Sequence, residues 1–291
     1  MRLIFPSLQF LSETVFNMST KVAVVTGSNK GIGYAIVRGL CKEFDGTVYL
    51  TSRNVDLGQQ AVLNLTAEGL NPKYHQLDIT KPESVEKFRD YIKTTYGGID
   101  VLVNNAAIAF KAKATEPAAV QAEETLRVNY FSVLSTCNIL FPILRDGGRV
   151  VNISSSAGHL SNIPNLTLRK KFKDPNLTVE ELSALMNQYI EAAKLENQVL
   201  DWGNSSYAVS KVGLTALTMI QQRQLESRGI KVNAVHPGYV NTDMSSHCGP
   251  LTIDEGAAAP LYLALKAPDS VKGQFVWYDK RIVSWDVEEN N

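Results

Sequence analysis

The 291-residue chain has little of several things, and each shortage removes a class of function. It has only three cysteines, Cys41, Cys137 and Cys248, widely spaced and with no C-x-x-C pair. An odd, sparse set argues against a disulfide framework and suits a reducing compartment, so a cytoplasmic protein is expected. Its four histidines, His75, His159, His236 and His247, are isolated and lack metal-ligand spacing. They are expected to be structural or surface residues, with no metal site. Charge of one sign is lacking too: Lys plus Arg and Asp plus Glu number 29 each. That argues against affinity for nucleic acid or an anionic membrane. No stretch has the length and apolar character of a transmembrane helix. With no G-x-S-x-G elbow and no Ser-His-Asp set, acyl transfer is not expected.

Residues 1–17 stand apart. They are apolar but broken by Pro6, Gln9 and Glu13, with Arg2 as the one cation and no A-x-A-like cleavage site. A disordered extension ahead of a second possible start, Met18, is expected. The remainder, 18–291, reads as one domain.

What the chain does have is alternation of apolar strands with helical patterns. Strands are expected at Val22–Val25, Thr47–Ser52, Lys73–Leu77, Asp100–Val103, Arg149–Ile153, Ile230–Val235 and Gln274–Tyr278. Helices are expected over about 54–69, 82–96, 118–144, 206–228 and 254–265, the third stopped by Asp146-Gly147-Gly148. The pattern predicts α/β architecture: a single doubly wound, Rossmann-like domain with a parallel sheet of about seven strands. A polar, partly helical insertion spans about 157–203. Ligands on such a sheet sit beyond the carboxyl ends of its strands.

The chemistry-bearing residues lie at those ends. Val22 to Gly33 reads VAVVTGSNKGIG: strand, Gly-rich turn, helix. Gly27, Gly31 and Gly33 allow a backbone to approach a pyrophosphate at a helix N-terminus, although the turn alone also fits an ordinary connection. Twenty residues past Gly33, where an NAD site has an acid, stands Arg53. With Lys30 it favours a ribose 2′-phosphate, hence NADPH. Tyr207 and Lys211 are four apart in Y-A-V-S-K and share a helix face. An ammonium there is expected to lower a phenol that titrates near ~10 when free, which suits proton transfer to a carbonyl oxygen. Ser155, with Ser154 and Ser156 as rivals, is placed to hydrogen-bond that oxygen.

In order, T-G-x-x-x-G-I-G, N-N-A (Asn104, Asn105, Ala106), Ser155, Y-x-x-x-K and P-G (Pro237, Gly238) resemble the short-chain dehydrogenase/reductase family, from about Lys21 to about Trp285. Within it, NKGIG, GIDVLVNNAAIAFK, RVVNISS, the acidic insertion and QFVWYDKRIVSW resemble the cytosolic carbonyl reductases that use NADPH. The resemblance implies a catalytic tetrad of Asn129, Ser155, Tyr207 and Lys211. Asn129 would hold a water that links Lys211 to solvent through a helix distortion. It also implies a cofactor site made of Gly27, Asn29, Lys30, Gly31, Ile32, Gly33 and Arg53, with Asp78 and Ile79 flanking the adenine. Asn105 and Ala106 would flank ribose, with Pro237, Gly238, Val240, Thr242, Tyr207 and Lys211 at the nicotinamide end.

Two departures stand out. Ala107 replaces the Gly of N-N-A-G, and His236 stands where those reductases have a Cys before Pro-Gly, which bears on glutathione recognition. Tyr239 follows Pro-Gly where an aromatic often lines the substrate pocket. Fifty-one residues separate Ser155 from Tyr207. In most members the helices bordering this region pair subunits, so the insertion implies a monomer. The expected activity is NADPH-dependent reduction of a small ketone, aldehyde or quinone. An oxidative alcohol or steroid dehydrogenase and a non-catalytic NADP-binding regulator remain the alternatives.

Overall fold

The computed structural model describes residues 20–111 and 113–286, so the expectations for residues 1–17 and Met18 lie outside the described residues. The strands are β1 (Val22–Val25), β2 (Thr47–Ser52), β3 (Lys73–Gln76), β4 (Ile99–Asn104), β5 (Leu144–Ile153), β6 (Lys231–Val235) and β7 (Phe275–Val276). They form one seven-stranded sheet in the order β3-β2-β1-β4-β5-β6-β7, every strand pairing parallel. The order reverses between β1 and β4, which opens a crevice above their carboxyl ends.

Both faces are covered, and β1 shows why its sequence is a continuous apolar run. Val22 and Val24 pack with Phe88, Ile92 and Leu102 on one face, Ala23 and Val25 with Ile36, Leu40 and Leu50 on the other. The second face is closed by α1 (Gly31–Glu43) and α2 (Val55–Ala67), the first by α3 (Pro82–Tyr96). Pro82 opens α3 where a missing N–H costs nothing, and Gly97 ends it at φ 81.

The helix expected over 118–144 is divided. It comprises α4 (Ala118–Leu126), a π-helical turn (Arg127–Ser132), α5 (Val133–Leu140) and a 3-10 turn (Phe141–Ile143). Pro142 removes a donor and ends the helix early. Asp146-Gly147-Gly148 therefore stops no helix: it lies within β5, which starts at Leu144 opposite Ile99 and shifts register before Arg149 meets Val101. The last strand is also shorter than Gln274–Tyr278, because the Trp277 N–H donates to the Arg281 carbonyl (2.9 Å) and the chain turns back.

The insertion is more apolar than its sequence suggests. It folds as α6 (Leu166–Phe172), α7 (Val179–Lys194) and α8 (Val199–Trp202), before α9 (Ser206–Leu225) and α10 (Ile253–Leu265). A capping box starts α7: the Glu181 N–H donates to Thr178 Oγ1 (3.2 Å), and the Thr178 N–H to Glu181 Oε2 (2.9 Å). The α7 residues Leu182, Leu185, Met186, Tyr189, Ile190 and Ala193 recur at helical spacing and are buried in one cluster with α4 and α9 residues. The approach to α9 is close enough that a Cβ on Gly213 would meet Met186 Sδ at 2.5 Å.

Trp202 anchors this layer, 2% exposed, against the rings of Tyr189 (5.6 Å) and Phe172 (6.3 Å). Trp202→Ala is expected to destabilise the protein by about 3–5 kcal/mol. Denaturant midpoints at unchanged slope check this; a shift near zero would mean the insertion is not part of the cooperative core.

Candidate active site

Strand register sets the site. Val25 lies beside Val103, Ile153 beside Val235 and Val235 beside Val276. The loops leaving β1, β4, β5, β6 and β7 therefore emerge along one edge. At the β1 end, Thr26 Oγ1 accepts from the N–H groups of Asn105 (3.0 Å) and Ala106 (3.1 Å). Asn105 Nδ2 donates back to the carbonyls of Thr26 and Gly27, both at 2.9 Å. The two turns press so close that a Cβ on Gly33 would fall 2.4 Å from Asn105 Nδ2. Gly27 has φ +59, and a Cβ there would lie 2.9 Å from Ala106 Cα. No side chain caps α1 and no acid sits in its first turn, so its leading N–H groups and positive end remain for an anion.

Above this turn lies a cleft of about 450 Å³, lined by Gly27, Asn29, Lys30, Gly31, Ile32, Gly33, Arg53, Asp78, Ile79, Asn105, Ala106 and Thr242. All twelve were expected from sequence. Ala107 lines it too. Val240 does not: it is buried behind the wall, bridged to Leu251 and packed where a Cβ on Gly256 would be. Pro237 and Gly238 also lie outside the wall, with Gly238 at φ +89 beside Leu251 and Tyr278.

The cleft's charges fit an anionic dinucleotide. Arg53 is exposed, and its guanidinium has no partner among the described residues. No acid closes β2, since Asp56 lies in the first turn of α2. Asp78 is committed to the Thr80 N–H (3.0 Å) and hydroxyl (2.7 Å). Lys30 pairs with Asp243 at 2.6 Å, which holds that carboxyl below its usual range. Asp243 and His247 were not foreseen as cleft residues. His247 Nε2 lies 3.1 Å from Asp243, and Nδ1 2.8 Å from Asn241 Oδ1. The signal was available: polar residues in a loop that leaves a strand's carboxyl end. Lys111 ties this loop to the one after β4, donating to the Asp243 carbonyl and, at 3.1 Å, to Ser246 Oγ.

Tyr207 and Lys211 sit in the first turns of α9, which Ser205 caps by accepting from the Ala208 N–H (3.1 Å). Lys211 is buried; its Nζ donates to the Ile153 carbonyl at 2.7 Å and lies 5.6 Å from the Tyr207 ring centre. Burial pulls its pKa down to about 7. The expectation of an acidified phenol is corrected here: burial raises Tyr207 above its ordinary value, and only the Ser155 hydroxyl pulls it back. The reason is that the amine reaches over the ring to a carbonyl rather than to the phenolic oxygen. A raised phenol carries its proton at neutral pH.

Among the serines, Ser154 is buried and bonded to Thr215 Oγ1 (2.8 Å), and Ser156 is exposed. Ser155 alone stands beside the phenol. Asn129 lies in the π-helical turn, a helix distortion of the kind the resemblance implies. Its Oδ1 accepts from the Ile108 N–H (2.8 Å), and Nδ2 donates to the Ile108 carbonyl (2.9 Å) and Ser210 Oγ (3.1 Å). His236 is buried at the end of β6, 4.4 Å from the Trp277 ring centre, where burial pushes its pKa down to about 4. His159 bonds Ser161 Oγ (2.8 Å) and the Ser284 carbonyl (3.0 Å). Among the described residues no His, Cys, Asp or Glu group is arranged for a metal, and no helix is long and apolar enough to cross a membrane.

A Gly-rich turn at a topological switch point, with tyrosine, serine and lysine at the neighbouring strand ends, defines a nicotinamide-dependent oxidoreductase of the Rossmann type. The chain belongs to the short chain dehydrogenase family, whose model matches residues 21–166 and 198–250. The unmatched gap is the heart of the insertion. Among characterised relatives, mouse carbonyl reductase [NADPH] 1 is 46% identical over 276 residues, 92% of this chain and 99% of that protein. Human carbonyl reductase [NADPH] 1 is 46% identical over 273 residues, 91% and 98% of the two chains. Salutaridine reductase from Papaver somniferum superposes with a TM-score of 0.80 at 33% identity, covering 89% of this chain and 99% of that one.

The Lys211 shift makes a pH prediction. Its folded value, about 7, lies below the ordinary 10.5, so between them the unfolded chain binds more protons. The contribution of Lys211 to the stability of the ligand-free protein should therefore rise as pH goes from about 7 towards 10.5. Lys211→Met should flatten that rise, measured as urea midpoints against pH. The same slope in both proteins would mean that the amine stays solvated.

Proposed function

We propose that the protein reduces carbonyl compounds to alcohols with NADPH. The observation that carries this reading is the Tyr207 phenol beside the Ser155 hydroxyl, on the same sheet edge as a dinucleotide cleft whose Arg53 has no partner among the described residues. NADPH, when bound, supplies a hydride to the carbonyl carbon. The Gly27–Gly33 turn and the start of α1 hold its diphosphate, and Arg53 and Lys30 take the 2′-phosphate. Ser155 donates a hydrogen bond to the substrate oxygen, orienting it as charge develops. Tyr207 then gives that oxygen its phenolic proton. Lys211 holds the nicotinamide ribose, and its bond to the Ile153 carbonyl fixes the position of Tyr207 one helical turn away. Asn129 acts by fixing the Ile108 peptide and Ser210 around Tyr207 and Lys211. The identity to relatives named as NADPH carbonyl reductases supports the substrate class. We also propose a monomer, since α7 occupies the faces of α4 and α9, and a cytosolic location, in keeping with three free cysteines.

Tyr207→Phe should lower kcat by roughly 10²–10⁴-fold while NADPH binding, followed by fluorescence titration, is unchanged. Retained turnover would remove the proton donor from this scheme. Arg53→Glu should weaken NADPH by roughly ten-fold or more while NADH binding changes little. Equal losses for both nucleotides would mean that Arg53 does not read the 2′-phosphate.

A further inference from the structure

Tyr207 lines a separate hollow, of about 300 Å³, bordered by the loop after β4, by α4, α7 and the start of α9. Its walls are polar: Gln121, Gln198, Asn204 and Ser205 line it beside Tyr207. One of these is out of the ordinary. Gln198 is 6% exposed, yet its Oε1 has no hydrogen-bond partner, and its carboxamide bonds to none of the described residues. The backbone of Gln198 has a structural task, since its carbonyl accepts from the Trp202 N–H (2.8 Å) at the start of α8. The side chain has none. A buried carbonyl oxygen left unpaired is costly, and an apolar side chain of the same size would be tolerated better. A polar group of a ligand in the hollow, beside the proposed proton donor, could complete that bond.

We propose that Gln198 is a specificity residue: its carboxamide holds a second, neutral polar group of the substrate, at the end away from the carbonyl that meets Tyr207 and Ser155. The inference rests on the carbonyl-reducing reading above and narrows it. The substrates are carbonyl compounds that carry a distal amide, hydroxyl or second carbonyl, compact enough for the hollow. A carboxamide offers one donor face and one acceptor, so a distal primary amide can satisfy both whichever way the side chain is turned.

The test uses two ketones of similar size, 4-acetylbenzamide and 4-methylacetophenone, with the full-length enzyme and NADPH. The wild type should show a kcat/KM higher by roughly ten-fold or more for the amide, because a site built to hydrogen-bond a group discriminates against the analogue that lacks it. Gln198→Leu should abolish that preference, mainly through KM for the amide. It should leave kcat/KM for the methyl ketone and the pH profile unchanged. Its melting midpoint should be unchanged or raised, since the unpaired carboxamide is gone; a purely structural glutamine would give a lowered midpoint and equal losses on both ketones, which overturns the proposal. Equal kcat/KM for the two ketones in the wild type overturns it as well. Calorimetric binding of 4-acetylbenzamide to the NADP+ complex separates this inference from the reading beneath it. Binding that Gln198→Leu leaves unaltered overturns the role of Gln198, whereas binding weakened by that change without any turnover supports Gln198 and overturns carbonyl reduction.

Discussion

The site depends on one bond, from the buried Lys211 amine to the carbonyl of Ile153 (2.7 Å). Burying an ammonium beside a single neutral acceptor is unfavourable, and the depressed pKa measures how strongly the surroundings disfavour the charge. The bond nevertheless fixes geometry. It ties the first turns of α9 to the end of β5, so the residue one helical turn before Lys211 and the serine two residues past Ile153 are brought together. Tyr207 and Ser155 are neighbours for that reason. Ser154, on the opposite side of the chain, closes the same junction from beneath through Thr215.

Holding α9 in place requires more than one bond. The insertion lays α7 along it with an apolar stripe, and Gly213 permits the contact. Asn129 works from the other side: both ends of its carboxamide grip the Ile108 peptide while Nδ2 reaches Ser210 on α9. The π-helical turn makes this possible. Six residues in a wider turn carry Asn129 out of the α-helical phase, so one side chain spans the β4 loop and α9 at once. Trp285 closes the far side, its indole donating to the Gly158 carbonyl at 2.7 Å.

Much of this was legible in the chain because its signals are local. The run Val22–Val25, the Pro82 start and Gly97 stop of α3, and the Thr47–Ser52 strand each depend on neighbours in sequence, and each was found at its expected bounds. The cleft residues of the Gly-rich turn were readable for the same reason. The π-helical turn was expected only through the family resemblance, since the bond from Asn129 to Ile108 that favours it joins residues 21 apart. The charge state of the Tyr-Lys pair was not legible: spacing shows that two side chains share a face, but not that one of them is spent on the Ile153 carbonyl. The insertion was legible as polar and partly helical, but the apolar stripe that seats α7 on α4 and α9 was not read from it.

The cleft's cations raise a last point about which of them decides nucleotide choice. Lys30 is already paired with Asp243, whereas Arg53 pairs with no acid among the described residues. Both members of the Lys30 pair are more than half exposed, so water and salt screen their attraction strongly. A phosphate monoester carries nearly two charges near neutral pH and three acceptor oxygens, so it competes well for a lysine held so weakly. Arg53 presents a planar fork suited to two of those oxygens, and no existing bond must break first. In the proposed reading, selectivity for the 2′-phosphate would therefore rest mainly on Arg53. Lys30 adds charge only as Asp243 lets go.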